Sequence, residues 1–141
     1  MSEVVVVGAD NSAIVRPAVA VAAELAAMSK GTLHIVTAYG AKLVSDGELS
    51  QEFRGLSKDG EIDALLQVLS VIAKKQGVEP VLHAVRDDPA DAIIKTADEL
   101  NADLVVVDNR GMKGARRVLG SVPNSVAHGA NCSVAIIDTT K

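Results

Sequence analysis

Five short apolar runs punctuate the chain: Val4–Val7, Leu33–Ala38, Val81–Val85, Leu104–Val107 and Val134–Ile137. They are rich in β-branched residues, and most are continuous rather than alternating. That is the pattern of strands buried on both faces of a parallel sheet with helices on each side. The intervening segments carry helical periodicity. Ala13–Lys30 is alanine-rich with polar breaks and predicts a helix capped by Asn11 or Ser12. Pro17 either kinks its first turns or moves the regular start to about Arg16, with the proline close to the first helical position. Asp59–Gln76 places Ile62, Leu65, Leu66, Leu69, Ile72 and Ala73 on one stripe and stops at Gly77. Asp91–Leu100 follows the start signal Asp88-Pro89, and a shorter helix runs from Val122 to Ala127 or a little beyond. The order β-α-β-α-β-α-β-α-β makes a doubly wound α/β fold. Residues Tyr39–Lys58 are polar, include Gly40, Gly47 and Gly55, and read as a lid or a partly helical insertion. Without a repeat or a linker, 1–141 is one domain.

Composition narrows the function. The 141 residues are 48% hydrophobic and 23% charged with a net charge of −4, which argues against nonspecific binding to nucleic acid or anionic membrane. One tyrosine, one phenylalanine and no tryptophan leave nothing to build a base-stacking platform. Cys132 is the sole cysteine, so neither an internal disulfide nor a thiolate metal cluster is expected. The start Met-Ser-Glu has no basic or long apolar leader, so a cytoplasmic location is the expectation.

Ligands of open α/β sheets bind beyond the carboxyl ends of the strands, so the segments just after each apolar run are the places to search. Gly8-Ala9-Asp10-Asn11-Ser12 lies after the first. Asp10 there fits two roles, a cap for the first helix or an acceptor for a ribose or an adenine amino group. After the fourth run, Asp108-Asn109-Arg110-Gly111-Met112-Lys113-Gly114-Ala115-Arg116-Arg117 leads through Val118-Leu119 to Gly120-Ser121. Arg110, Lys113, Arg116 and Arg117 concentrate basic charge, glycines allow close backbone approach, and a helix start favours an anion. The segment reads as a phosphate cradle, or else as a solvated basic loop with Ser121 as a cap. It matches neither a Walker A loop nor a dinucleotide fingerprint. Asp87-Asp88-Pro89 is a helix start or a Mg²⁺ site. His34, His83 and His128 are scattered without metal-ligand spacing, and Cys132 reads as an inert thiol. No nucleophile, base and oxyanion hole assemble.

Over essentially its full length the chain resembles the universal stress proteins, most closely single-domain actinobacterial members. The resemblance is carried by Val5-Val6-Val7-Gly8-Ala9-Asp10, by Ala102-Asp103-Leu104-Val105-Val106-Val107, and by Gly111…Gly120-Ser121-Val122-Pro123 running to Cys132-Ser133-Val134-Ala135-Ile136-Ile137. It implies a Rossmann-like five-stranded parallel sheet of order 3-2-1-4-5, of the adenine nucleotide alpha hydrolase-like type. It also implies the Gly-x2-Gly-x9-Gly-Ser/Thr phosphate motif of the ATP-binding branch. Carried over, Asp10 and Ala38 meet the adenosine, Gly111, Gly114, Gly120, Ser121 and Val122 wrap the phosphates with Arg110 and Lys113 as charge partners, and Ala9, Val107 and Asp108 complete the expected nucleotide site. Here the motif's first glycine is Asp108, and eight residues rather than nine separate Gly111 from Gly120. A carboxylate there opposes a phosphate by about 1–4 kcal/mol at ~4 Å, depending on the local dielectric.

The resulting expectation is a stress-response regulatory protein that binds an adenine nucleotide, ATP first with AMP or cyclic AMP as alternatives, accompanied by Mg²⁺. It has no assigned catalytic residue and at most a slow ATPase activity. It pairs as a homodimer through its last strand, Val134 to Ile137, and needs neither nucleic acid nor membrane. The alternative is a dimeric interaction module with a degenerate pocket and no nucleotide. A third reading is a metal-assisted phosphohydrolase using Asp10, Asp87 and Asp108.

Overall fold

The computed structural model describes residues 3–10, 15–40, 48–109 and 119–139, with the backbone alone over 48–59. The elements are β1 (Val4–Ala9), α1 (Arg16–Met28), β2 (Thr32–Tyr39), α2 (Glu48–Lys75), β3 (Val81–Arg86), α3 (Pro89–Leu100), β4 (Leu104–Asp108), α4 (Ser121–Gly129) and β5 (Ser133–Ile137). All neighbouring strands run parallel in the order β3-β2-β1-β4-β5, the doubly wound arrangement expected.

The valine runs are continuous because both faces of the sheet are covered. Val5 and Val7 of β1 pack with Leu33, Ile35 and Val106 beneath α1 and α2. Val6 points the other way and joins Val36, Val105 and Val107 beneath α3 and α4. Ala18, Ala22, Ala23 and Ala26 of α1 are fully buried, and their small side chains let the helix lie close to the sheet.

Helix boundaries refine the sequence reading. The N-cap of α1 is Val15, not Asn11 or Ser12, which fall outside the described residues. Pro17 lies in its first turn, where a missing N–H costs nothing, so the later of the two expected starts is the one observed. Three helices end alike. Lys30, Gly77 and Asn101 adopt left-handed backbone with φ of 55°, 85° and 52°. The next amides, of Gly31, Val78 and Ala102, donate back to the carbonyls of Ala26, Ala73 and Ala97.

The largest departure is α2, which begins at Glu48 rather than Asp59. The segment expected as a lid or a partly helical insertion is therefore helical from residue 48 onward, and residues 41–47 lie outside the described residues. Its first turns are polar and carry Gly55, which suggested irregular chain. They hold no proline, and one interior glycine costs a helix only about 1 kcal/mol. Helix α3 starts at Pro89, slightly earlier than expected, and α4 spans Ser121 to Gly129. Among the described residues no helix is long and apolar enough to cross a membrane.

Candidate functional site

The sheet reverses its winding between β1 and β4. Strand β2 flanks β1 on one side and β4 flanks it on the other, with α1 and α3 on opposite faces. The connections diverge there and leave a crevice at the carboxyl ends of the two strands, where such sheets hold ligands. A cavity of about 350 Å³ occupies this crevice, within the roughly 300–1,000 Å³ typical of small-molecule sites.

Each adjoining element supplies part of the wall. Gly8, Ala9 and Asp10 come from the end of β1, Val36 and Ala38 from β2, and Val107 and Asp108 from β4. Gly120, Ser121, Val122 and Pro123 come from the start of α4, Pro89 and Ile93 from α3, and Val15 from the start of α1. The sequence-derived positions Ala9, Asp10, Ala38, Val107, Asp108, Gly120, Ser121 and Val122 thus share one cavity although they are distant along the chain. Arg110, Gly111 and Gly114 lie outside the described residues, as do Lys113, Arg116 and Arg117.

Sequence reading missed the apolar lining. Val15, Val36, Pro89, Ile93 and Pro123 look like core residues, and only their position at the crevice distinguishes them. Val36 was accessible by strand periodicity, since it shares a face with Ala38 two residues on. Gly8 is explained by packing. A Cβ there would overlap the Cδ1 of Ile93 and stand 3.0 Å from its Cγ1. A side chain at Gly8 would therefore displace α3 or push Ile93 into the cavity.

The cavity joins an apolar wall to two kinds of polar group. At α4, Gly120 occupies the N-cap in extended conformation, φ −62° and ψ 166°, and no side chain caps the helix. Its first turn holds no acidic residue. Pro123 contributes no N–H, so among the lining residues of the first turn the amide donors are those of Ser121 and Val122, at the positive end of the helix dipole. Opposite in charge are the carboxylates of Asp10 and Asp108. Asp10 is not the N-cap of α1, a position held by Val15. Asp87 does not line the cavity; its Oδ1 accepts the amide of Asp88 at 2.8 Å, so the trio proposed for metal-assisted chemistry is not assembled there.

Two buried polar side chains fix the rim. Thr37 donates its hydroxyl to the carbonyl of Ala9 at 2.8 Å and holds the end of β1 to β2. Asn109, 2% exposed, follows Asp108 directly. Its Nδ2 donates to Asp138 Oδ1 at 3.0 Å, its Oδ1 accepts the Thr139 amide at 2.9 Å, and its own amide donates to the Ile137 carbonyl at 3.0 Å. The strand end bearing Asp108 is thereby fastened to the chain leaving β5. Sequence reading assigned Asn109 no role, because a lone asparagine in a polar loop gives no signal.

The histidines are less scattered than their spacing suggested. His34 of β2 and His83 of β3 face each other, with His34 Nδ1 and His83 Nε2 2.9 Å apart. Burial holds both imidazoles below the usual range; His83 adds to the lowering at His34, whereas the Glu99 carboxylate partly opposes it at His83. Burial, with Asp98 and Asp103, raises the thiol of Cys132, which keeps it protonated and unreactive.

Comparison with known proteins adds an independent line. The family model for the universal stress proteins matches residues 1–138. A universal stress protein of Mycobacterium tuberculosis (strain H37Rv) is 36% identical over 147 aligned positions, covering 96% of each chain. Universal stress protein A homolog 1 of Coxiella burnetii is 29% identical and covers 80% of each. Among solved structures, a universal stress protein in complex with cAMP superposes with a TM-score of 0.77 at 34% identity, covering 98% of each chain. The Archaeoglobus fulgidus universal stress protein in complex with dAMP has the same fold, with a TM-score of 0.73 at 24% identity over 97% of this chain and 99% of that one.

Proposed function

Because the chain belongs to the universal stress protein family, we propose that it binds an adenine nucleotide in the crevice between β1 and β4 and acts as a cytoplasmic regulatory protein of the stress response. The observation that carries this reading is the convergence of Asp10, Ala38, Asp108 and the Gly120-Ser121-Val122 helix start on one cavity at the winding reversal. Ala9, Asp10 and Ala38 receive the adenosine, with Val36 and Ile93 supplying apolar surface for the base. The amides at the start of α4 receive phosphate, assisted by Arg110, Gly111 and Gly114 from the preceding loop. The related structure at 34% identity holds cAMP, which supports an adenine ligand and makes cAMP the first to test. Asp108 stands where the family motif has glycine and disfavours dense phosphate charge, so it opposes a ligand with one phosphate less than it opposes metal-free ATP.

Binding is tested by calorimetric titration with cAMP, AMP and ATP, each with and without Mg²⁺. The expected order places cAMP and AMP ahead of ATP; no heat with any of the three would contradict the reading. The same proposal includes a homodimer through β5, the sheet edge opposite β3, on which Ile136 is 39% exposed. Light scattering is expected to give twice the 14.6 kDa chain mass, and a monomer at all concentrations would contradict it. In such a dimer Asn109 ties the end of β4, beside the ligand, to residues 138 and 139 beyond the shared strand.

A further inference from the structure

Strand β1 breaks its valine run at Gly8, and the break sits in the wall of the cavity. Gly8 pairs with Val36 of β2, and the pairing of Val7 with Val106 sets Val107 of β4 on its other side. Val36 and Val107 both pack beneath α3 and α4, so Gly8 leaves a gap between two valine side chains. Ile93 of α3, 5% exposed, fills that gap. A Cβ on Gly8 would overlap Ile93 Cδ1 and stand 3.0 Å from Ile93 Cγ1, but a comfortable 3.9 Å from Val107 Cγ1. Among the described glycines positive φ is confined to Gly40 and Gly77, so residue 8 has backbone that any residue adopts. The glycine supplies space and not conformational freedom, and Ile93 takes the space.

We propose that Ile93, seated on Gly8, is the residue that selects the base, by closing the inner end of the cavity against any substituent at C2 of a purine. The inference rests on the nucleotide reading above. Gly8 and Val36 lie two residues before Asp10 and Ala38 on their strands, so Gly8, Val36 and Ile93 form the inner end of the crevice, and Asp10 and α4 stand at its mouth. With phosphate at the start of α4, the six-membered ring of the base enters furthest. That ring presents N1, N3, the exocyclic group on C6, and C2. The inner end offers side chains of carbon alone, and a polar group pressed there without a partner loses its hydrogen bonds to water. In adenine only the C2–H corner carries no polar atom, so it is the corner that meets Ile93. Guanine has an amino group at that corner, which is too large for the space and would be unpartnered in it. Selection against guanine thus comes from shape and desolvation.

The test is calorimetric titration of cAMP and its 2-chloro and 8-bromo analogues on wild type, Ile93→Val and Ile93→Ala. Wild type should bind the 2-chloro analogue at least about tenfold more weakly than cAMP, the scale of one excess methyl-sized group in a closed pocket. Shortening Ile93 should shrink that ratio, to about threefold in Ile93→Val and to near parity in Ile93→Ala, while the 8-bromo ratio stays as in wild type. A purely structural role for Ile93 would lower all three affinities together and leave both ratios alone. Ile93→Val removes only Cδ1, so it carries the test if the alanine variant does not fold. The seat is checked by rescue. Gly8→Ala should weaken cAMP by about tenfold by pushing Ile93 into the cavity, and adding Ile93→Val should restore most of that affinity. A 2-chloro ratio unmoved in both Ile93 variants, or a shift in the 8-bromo ratio instead, would overturn the role of Ile93 and leave nucleotide binding standing. A double variant without rescue would overturn the seat on Gly8. A wild type that ignores cAMP would overturn the nucleotide reading and this selection with it.

Discussion

Gly120→Asp is expected to weaken adenine-nucleotide binding sharply while the fold survives. Gly120 is the N-cap of α4 and part of the cavity wall, so a carboxylate there stands beside the amides that would receive phosphate. Two like charges about 4 Å apart repel by about 1–4 kcal/mol, which is roughly a five- to thousandfold loss of affinity. The helix itself has no reason to suffer. Its N-cap backbone is extended, at φ −62° and ψ 166°, and aspartate is among the preferred N-cap residues. The same carboxylate that satisfies a first-turn amide also competes with the ligand's phosphate for it. The expected result is unchanged or slightly higher thermal stability together with sharply weaker binding in calorimetry. Undiminished affinity would move the phosphate site away from α4.

Asp108→Asn is expected to raise affinity for ATP much more than affinity for cAMP. Asparagine keeps the shape of the side chain and removes its charge, so the change isolates electrostatics from packing. The repulsion removed scales with ligand charge, and ATP carries several phosphate charges where cAMP carries one. A gain of about tenfold for ATP against about twofold for cAMP is the expected split, within the range set by a partly screened pair. Parallel titrations of the two ligands on wild type and variant check it. Equal gains for both would mean that Asp108 faces the shared phosphate or sugar and not the outer phosphates.

Most of the fold was legible because its signals are local and strong. Continuous valine runs can be buried on both faces only in a covered parallel sheet, and β1 places Val5 and Val7 against one helical layer and Val6 against the other. Gly77 predicted the end of α2 because a left-handed cap residue needs no Cβ there, and its φ is 85°. The start of α2 escaped although Leu49, Phe53 and Leu56 stand at the i, i+4, i+7 spacing of a helix, because the polar residues between them and Gly55 read as irregular chain. At the cavity, Asp10, Asp108 and Gly120 were legible because charge and glycine at strand ends and a helix start stand out in the sequence, whereas Arg110, Gly111 and Gly114 lie outside the described residues. Val15, Ile93 and Pro123 were not legible, because a pocket wall and a core have the same composition and differ only in what lies opposite. The His34–His83 pair was invisible for another reason. Its contact depends on the register between β2 and β3, which no spacing along the chain encodes.

Occupancy of the crevice between β1 and β4 by an adenine nucleotide is tested most directly on freshly purified protein. The protein is denatured and any released small molecule identified by chromatography and mass spectrometry, alongside protein first dialysed free of ligand and then exposed to cAMP. The expected result is an adenine nucleotide with the absorbance and mass of cAMP or AMP, released by wild type and depleted in Gly120→Asp. An empty, folded protein that takes up none after dialysis and exposure would contradict nucleotide binding and leave the protein surface as the seat of function.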